Sequence, residues 1–147
     1  MDEFDNLPAL MERLRRQTLQ AFSTYICVNQ PEEFSSCSRD SWEYHVYENN
    51  QASLQQLRTT GDFPLHIIDR SSIGQGWTGK QKGVGWARKL LFEAILQQCD
   101  DNELIVSMDA DTDFPDDYFE KLLATINHHP TASALCVPYY HNYDRIY

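Results

Sequence analysis

Positive charge is scarce in this chain: 12 lysines and arginines stand against 22 aspartates and glutamates, for a formal net charge of −10. So acidic a surface argues against nucleic acid or an anionic membrane as partner, because both carry dense negative charge. No apolar run approaches the roughly 18 residues that cross a bilayer, so any membrane attachment would come from sequence outside this chain. Cysteine is present but unpatterned. Cys27, Cys37, Cys99 and Cys136 include no C-x-x-C pair, and no secretory leader precedes them. The expectation is structural thiols in a reducing, cytoplasmic setting rather than disulfides or zinc. Glycine is sparse too, with 6 residues in 147, and five of them fall between positions 74 and 85. There is no internal repeat and no low-complexity tract.

What is present is enough for one core. A chain of 147 residues is expected to fold as a single domain that buries roughly 68 to 70 per cent of its unfolded surface. Helix and strand signals alternate in the βα order of a parallel sheet. Leu7, Leu10 and Leu14 form one helical stripe with Pro8 in the first turn, and the pattern predicts a helix to about Gln20. Tyr25 to Val28 reads as a short strand ending at Asn29-Gln30-Pro31. Residues 31–50, which hold Trp42, Tyr44 and Tyr47, read as an irregular inserted loop. A short helix over Ser53–Thr60 leads to Gly61, and Pro64 introduces a strand over Leu65–Ile68. The fold class expected is α/β, with a mostly parallel sheet flanked by helices.

Residues 70–85 form a glycine-rich loop with Trp77, Lys80 and Lys82. Gly74 to Gly79 fits G-x-G-x-x-G, and Gly74 to Lys80 fits the phosphate-binding P-loop except that Gln81 replaces its final Ser or Thr. Either motif should open directly into a helix whose N-terminus faces phosphate. Here Gly83 and Gly85 intervene, and the helix is expected over Trp86–Gln98. The loop is read as a flexible basic segment that folds over a phosphate-bearing ligand, or else as a merely solvated one. Ala87, Leu90, Leu91, Ala94 and Ile95 form the predicted buried stripe of the helix, with Arg88 off the stripe beside the loop.

The most informative stretch is Leu104-Ile105-Val106-Ser107-Met108-Asp109-Ala110-Asp111-Thr112-Asp113. An apolar run of this kind suits an interior strand of a parallel sheet, and such sheets bind ligands beyond the carboxyl ends of their strands. Asp-x-Asp on a turn offers hard oxygen ligands of the kind that share Mg²⁺ or Mn²⁺ with substrate phosphates. A solvated strand end with helix-capping acids fits the same three residues. An EF-hand does not, because Phe114 stands where its loop needs glycine and a strand precedes where it needs a helix. A haloacid-dehalogenase-like phosphatase fits weakly, with Asp113 where a threonine or valine is needed and Lys121 alone downstream. After the acids, Pro115 opens a helix with Phe119, Leu122, Leu123 and Ile126 on its apolar face, ending at His128-His129. Ala134–Val137 then reads as a final strand, followed by Pro138-Tyr139-Tyr140-His141.

This order resembles a family 2 glycosyltransferase with the GT-A (Rossmann-like) fold. The resemblance is carried by Asn6-Leu7-Pro8 and its helix, by Gly83-x-Gly85-Trp86-Ala87-Arg88, and by Asp109-Ala110-Asp111 with Phe114-Pro115-Asp116-x-Tyr118. It covers residues 1 to about 140 and implies a partial nucleotide-sugar-binding domain spanning 1–147. On the family pattern Asp109 and Asp111 would hold Mg²⁺ or Mn²⁺. Arg88 and Lys82 would meet the donor diphosphate, and Asn29 and Asp69 would lie near base and ribose. The resemblance also implies a nucleoside-diphosphate sugar donor, an acceptor not specified by these residues, and a catalytic base outside this chain. Three departures stand out. The family's first strand, which precedes the segment like Asp2 to Pro8, is missing, and Asn29-Gln30 stands where a base-reading aspartate is usual; the C-terminal acceptor half, which in the family follows the Asp-x-Asp strand, is expected to be lacking as well. The chain is therefore expected to be an incomplete version of that fold, and a non-catalytic nucleotide-binding fragment is the competing class.

Overall fold

The computed structural model describes residues 3–80 and 82–138, so the aromatic run from Tyr139 lies outside the described residues. The described residues form four α-helices and two strands. These are α1 (Leu7–Arg15), β1 (Thr24–Asn29), α2 (Trp42–Arg58), β2 (Leu65–Arg70), α3 (Val84–Leu96) and α4 (Tyr118–His128), with a short 3-10 turn at Glu32–Ser36. The two strands pair in parallel, from Thr24 against Leu65 to Asn29 against Arg70. The architecture is thus mixed α/β, a small parallel sheet flanked by helices, as the alternation of signals implies. No helix among the described residues is long and apolar enough to cross a membrane.

One core holds the N-terminal elements together. Leu7, Leu10, Met11 and Leu14 of α1 pack with Val28, Leu54, Leu57, Phe63 and Phe114. Cys27 lies within β1, where burial pushes its thiol pKa up to about 11. All four cysteines are free. Helix α1 ends at Arg15 and not near Gln20, because Gln17 leaves the helical ladder for tertiary partners. Its Nε2 donates to the Pro115 carbonyl at 2.9 Å and its Oε1 accepts from the Phe119 amide at 3.1 Å, while the Thr18 amide donates to the Asp116 carbonyl at 2.8 Å.

The loop expected over 31–50 gives way to helix from Trp42 onward. Ser41 caps α2 by accepting from the Tyr44 amide at 3.2 Å, with Glu43 in the first turn where the dipole favours an acid. Its buried face is Val46, Asn50, Ser53, Leu54 and Leu57. Helical spacing is present, but two of the five positions are polar. Each is satisfied: Asn50 donates to the Gln30 side chain at 2.8 Å, and Ser53 donates to the Asn49 carbonyl at 2.9 Å.

The larger correction concerns the C-terminal half. Residues 103–109 form no strand, and Leu104 is 43 % exposed where burial was expected. Residues 134–137 form none either, leaving Leu135 and Val137 exposed. A parallel strand needs a hydrogen-bonded neighbour. Between residues 103–110 and β1 lies a cleft of about 1150 Å³, lined on one side by Thr24–Asn29 and on the other by Glu103–Ala110. The apolar stripes of the last two helices share this under-packing. Of the residues expected to be buried in α3 only Ala87 is fully so, and α4 has none.

Candidate functional site

Backbone alternation sets the acidic turn. Met108 and Ala110 pack against the core while Asp109 and Asp111 project the other way, so two carboxylates reach the cleft from one short segment. Phe114, buried and in ring contact with Tyr118 and Phe119, anchors the far end of the turn. The turn closes on itself: the Asp109 amide donates to Thr112 Oγ1 at 3.2 Å, and the Thr112 amide donates to the Asp109 carbonyl at 3.1 Å. Arg88, in the first turns of α3, reaches across to Asp109, its Nη2 lying 2.5 Å from Oδ1. Asp113 points elsewhere, at 2.8 Å from Arg13 Nε.

A second cluster sits where β1 and β2 end. Asn29 Oδ1 accepts from the Trp77 indole at 3.1 Å, and Trp77 is held by the Gln30 carbonyl at 2.8 Å and the Glu32 amide at 2.9 Å, with the Arg70 guanidinium 5.1 Å from its ring centre. The Glu32 carboxylate accepts from the amides of Gly74 and Gly76 at 2.7 and 2.6 Å. Only glycine fits at 76. A Cβ there would stand 2.6 Å from Glu32 Cα, and backbone cannot yield. The glycine-rich segment is therefore pinned from 74 to 77 rather than loose throughout. Beyond Trp77, Lys80 and Lys82 are exposed between Gly79 and Gly83, both at positive φ.

Asp69 has its oxygens occupied within this cluster. Oδ1 accepts from the amides of Ser71 and Ser72 at 3.0 and 2.9 Å, and Oδ2 from the Ser72 hydroxyl at 2.6 Å and Arg58 at 3.3 Å. Burial, the largest single influence, pushes its pKa up, but the Ser72 and Ser71 hydrogen bonds and the Arg58 charge together hold it below the ordinary carboxylate value. It acts as the cap of the loop's first turn. Fully buried Gln30 completes the support, accepting from Asn50 and donating to the Ser71 carbonyl at 3.1 Å.

Of the residues singled out in the sequence, Asn29, Arg88, Asp109 and Asp111 line the same cleft. Asp69 and Lys82 do not. Arg13, Glu32 and Thr112 escaped sequence reasoning. Thr112 carries a legible signal, a hydroxyl three residues after an aspartate at a strand end, which favours a side-chain-closed turn. Arg13 and Glu32 carry none, since their partners lie 100 and more than 40 residues away.

Among the described residues no group of three His, Cys, Asp or Glu side chains assembles as a cation site. The chain's own offer is two carboxylates on one turn, Asp109 and Asp111. Such a pair suits a hard divalent ion that completes its shell with phosphate oxygens and water, and is too few for a self-sufficient protein cage. The donor set fits that kind of ion.

The acidic turn, the end of β1 and an arginine on the neighbouring helix thus line one cleft of an α/β unit. Residues 77–146 match the family model described as Glycosyl transferase family 2, which bears out the resemblance over the part of the chain that carries the acidic turn. No curated protein and no solved structure gives a significant match.

Proposed function

We propose that this chain forms the donor-binding part of a metal-dependent glycosyltransferase that moves a sugar from a nucleoside-diphosphate sugar to an acceptor. The observation that carries the reading is the family match across a segment whose arginine and paired aspartates meet at one cleft. When bound, Mg²⁺ or Mn²⁺ would neutralise the diphosphate as the sugar departs. Asp109 and Asp111 are the residues to hold it. Arg88, which lines the cleft, would meet the diphosphate with a planar fork of donors, and Lys82, which lies outside it, would have to reach the diphosphate from the exposed part of the loop. Asn29 stands at the end of β1, where its amide oxygen already takes the Trp77 indole, so its amide N–H₂ is the group left for a base or ribose. Asp69 supports the site indirectly, because its oxygens are spent on the turn that opens the loop. Calorimetry of the chain with uridine and guanosine diphosphate sugars, with Mn²⁺ and again with EDTA, tests the reading. Binding is expected with the ion and a loss of at least tenfold in affinity without it. Equal affinity in both conditions removes Asp109 and Asp111 from the metal role and leaves a metal-free nucleotide-binding module.

A further inference from the structure

The three acids of the turn are not equally available. Asp113 is taken by Arg13 at 2.8 Å, Asp109 by Arg88 at 2.5 Å, and Asp111 has no hydrogen-bond or ion-pair partner recorded among the described residues. The Arg88 contact is the shortest ion pair among them. Both of its partners are about half exposed, with side chains 44 % and 56 % accessible, so it is made and broken readily in water. A guanidinium on Asp109 Oδ1 takes one of the two carboxylate oxygens and sets a positive charge beside the other, so it competes with a divalent cation for that carboxylate.

We propose that Arg88 is a latch on Asp109: in the ligand-free protein it keeps the acidic turn closed to a free divalent cation, and it releases Asp109 when a diphosphate takes the guanidinium. This rests on the donor-binding reading above. The argument is one of competition. Asp111 alone offers a cation a single carboxylate, which water rivals. Asp109 joins it only after Arg88 departs. Arg88 departs at least cost when another pair of anionic oxygens lies within its reach in the same cleft, because a guanidinium then exchanges one charge-assisted pair for another. Cation and diphosphate are therefore coupled through one side chain. By linkage, each strengthens binding of the other by the same factor. The arrangement disfavours a stray ion in the turn without the phosphates that complete its shell.

Mn²⁺ alone, titrated into the ligand-free chain and followed by electron paramagnetic resonance of the free ion, tests this without any turnover. Arg88→Gln is expected to tighten Mn²⁺ binding by about one-and-a-half- to fivefold, the range by which an exposed ion pair holds its partner. Arg88→Lys should stay near the parent value. Lys89→Gln controls for general electrostatics, since it removes the same charge one residue along α3, where the ammonium pairs with Glu93 and covers Trp86 instead of Asp109. The latch is overturned if Arg88→Gln binds Mn²⁺ no more tightly than the parent, or if Lys89→Gln tightens it equally. Asp109→Asn separates the two levels of the argument. When it abolishes Mn²⁺ binding while Arg88→Gln changes nothing, the metal reading stands and the latch falls. When parent and Asp109→Asn bind Mn²⁺ measurably and alike, or when Arg88→Gln binds none, both fall.

Discussion

Replacing Leu104 with alanine will cost under about 1 kcal/mol, whereas the same change at Leu57 will cost about 2 to 5 kcal/mol. The difference follows from where the chain is packed and where it is not. The protein exposes 10265 Å², while a compact monomer of 17.1 kDa exposes roughly 7,750 Å² by the usual size scaling. The segment facing the cleft has no strand ladder, and the two helices beside it have one fully buried residue between them. Leu104 stands there, 43 % exposed, so truncation returns little new surface to water and opens no closed cavity. Leu57 is 1 % exposed amid Leu7, Leu10 and Leu54, where the lost methyl groups leave a void. Urea unfolding followed by far-UV circular dichroism measures both. With a slope of about 2 kcal/mol per molar, Leu57→Ala should lower the midpoint by roughly 1 to 2.5 M and Leu104→Ala by less than about 0.5 M. Equal midpoint losses would mean that residues 103–109 are packed as a buried strand, and the account of the cleft would be wrong.

Gly76→Ala will loosen the loop at its pinned end, because the added methyl meets the Glu32 backbone at 2.6 to 2.8 Å; overpacking of this kind costs about 1–3 kcal/mol. Hydrogen exchange should speed up at residues 71–77 while β1 and β2 keep their protection, and unchanged exchange at 71–77 would refute the contact. The cap supplied by Asp69 gives the same loop an acid limit. Its folded pKa is depressed, so the stability it contributes is complete above the ordinary carboxylate value and is lost as pH falls through the folded value. Protection of the Ser71 and Ser72 amides should hold from pH 7 to 5 and decline below roughly pH 4; Asp69→Asn should lower it at neutral pH, and a decline already under way at pH 6 would assign the effect to another group.

The elements that the sequence announces correctly are those with a local cause. Pro8 and the Leu7, Leu10 and Leu14 stripe make α1, Pro64 marks the entry to β2, and the alternation of helix and strand implies the parallel pairing that is found. Local causes fail where the compensating partner is far away. Helix α2 was hidden because Asn50 and Ser53 interrupt its apolar face, and nothing near them in sequence reveals that Gln30 receives Asn50. Gln17 ends α1 for a similar reason, through bonds to residues 98 and 102 positions onward. Apolar character at 104–108 signals a desire for burial and not its fulfilment. A strand is a relation between two segments, and β1 stands across a cleft from this one.

The same distinction explains the site. Asp109 and Asp111 are legible because their chemistry is written in spacing: alternate residues leave a strand-like segment on the same side, and paired carboxylates are expensive to place together without a cation to face them. The cation that faces Asp109 here is supplied by the chain itself, from a helix 21 residues earlier. Arg88 could be read from its sequence only as a neighbour of the glycine-rich loop. Folding turns it toward the acids. That placement makes one side chain answerable to both halves of the proposed ligand, because any diphosphate it grips must draw it off Asp109 and so free the oxygen the metal needs. Nor is Asp113 left to act as a third ligand, since Arg13 holds it on α1. The turn therefore presents two acids rather than three, one guarded and one open, and on the reading proposed above its affinity for a cation would be set by what else occupies the cleft.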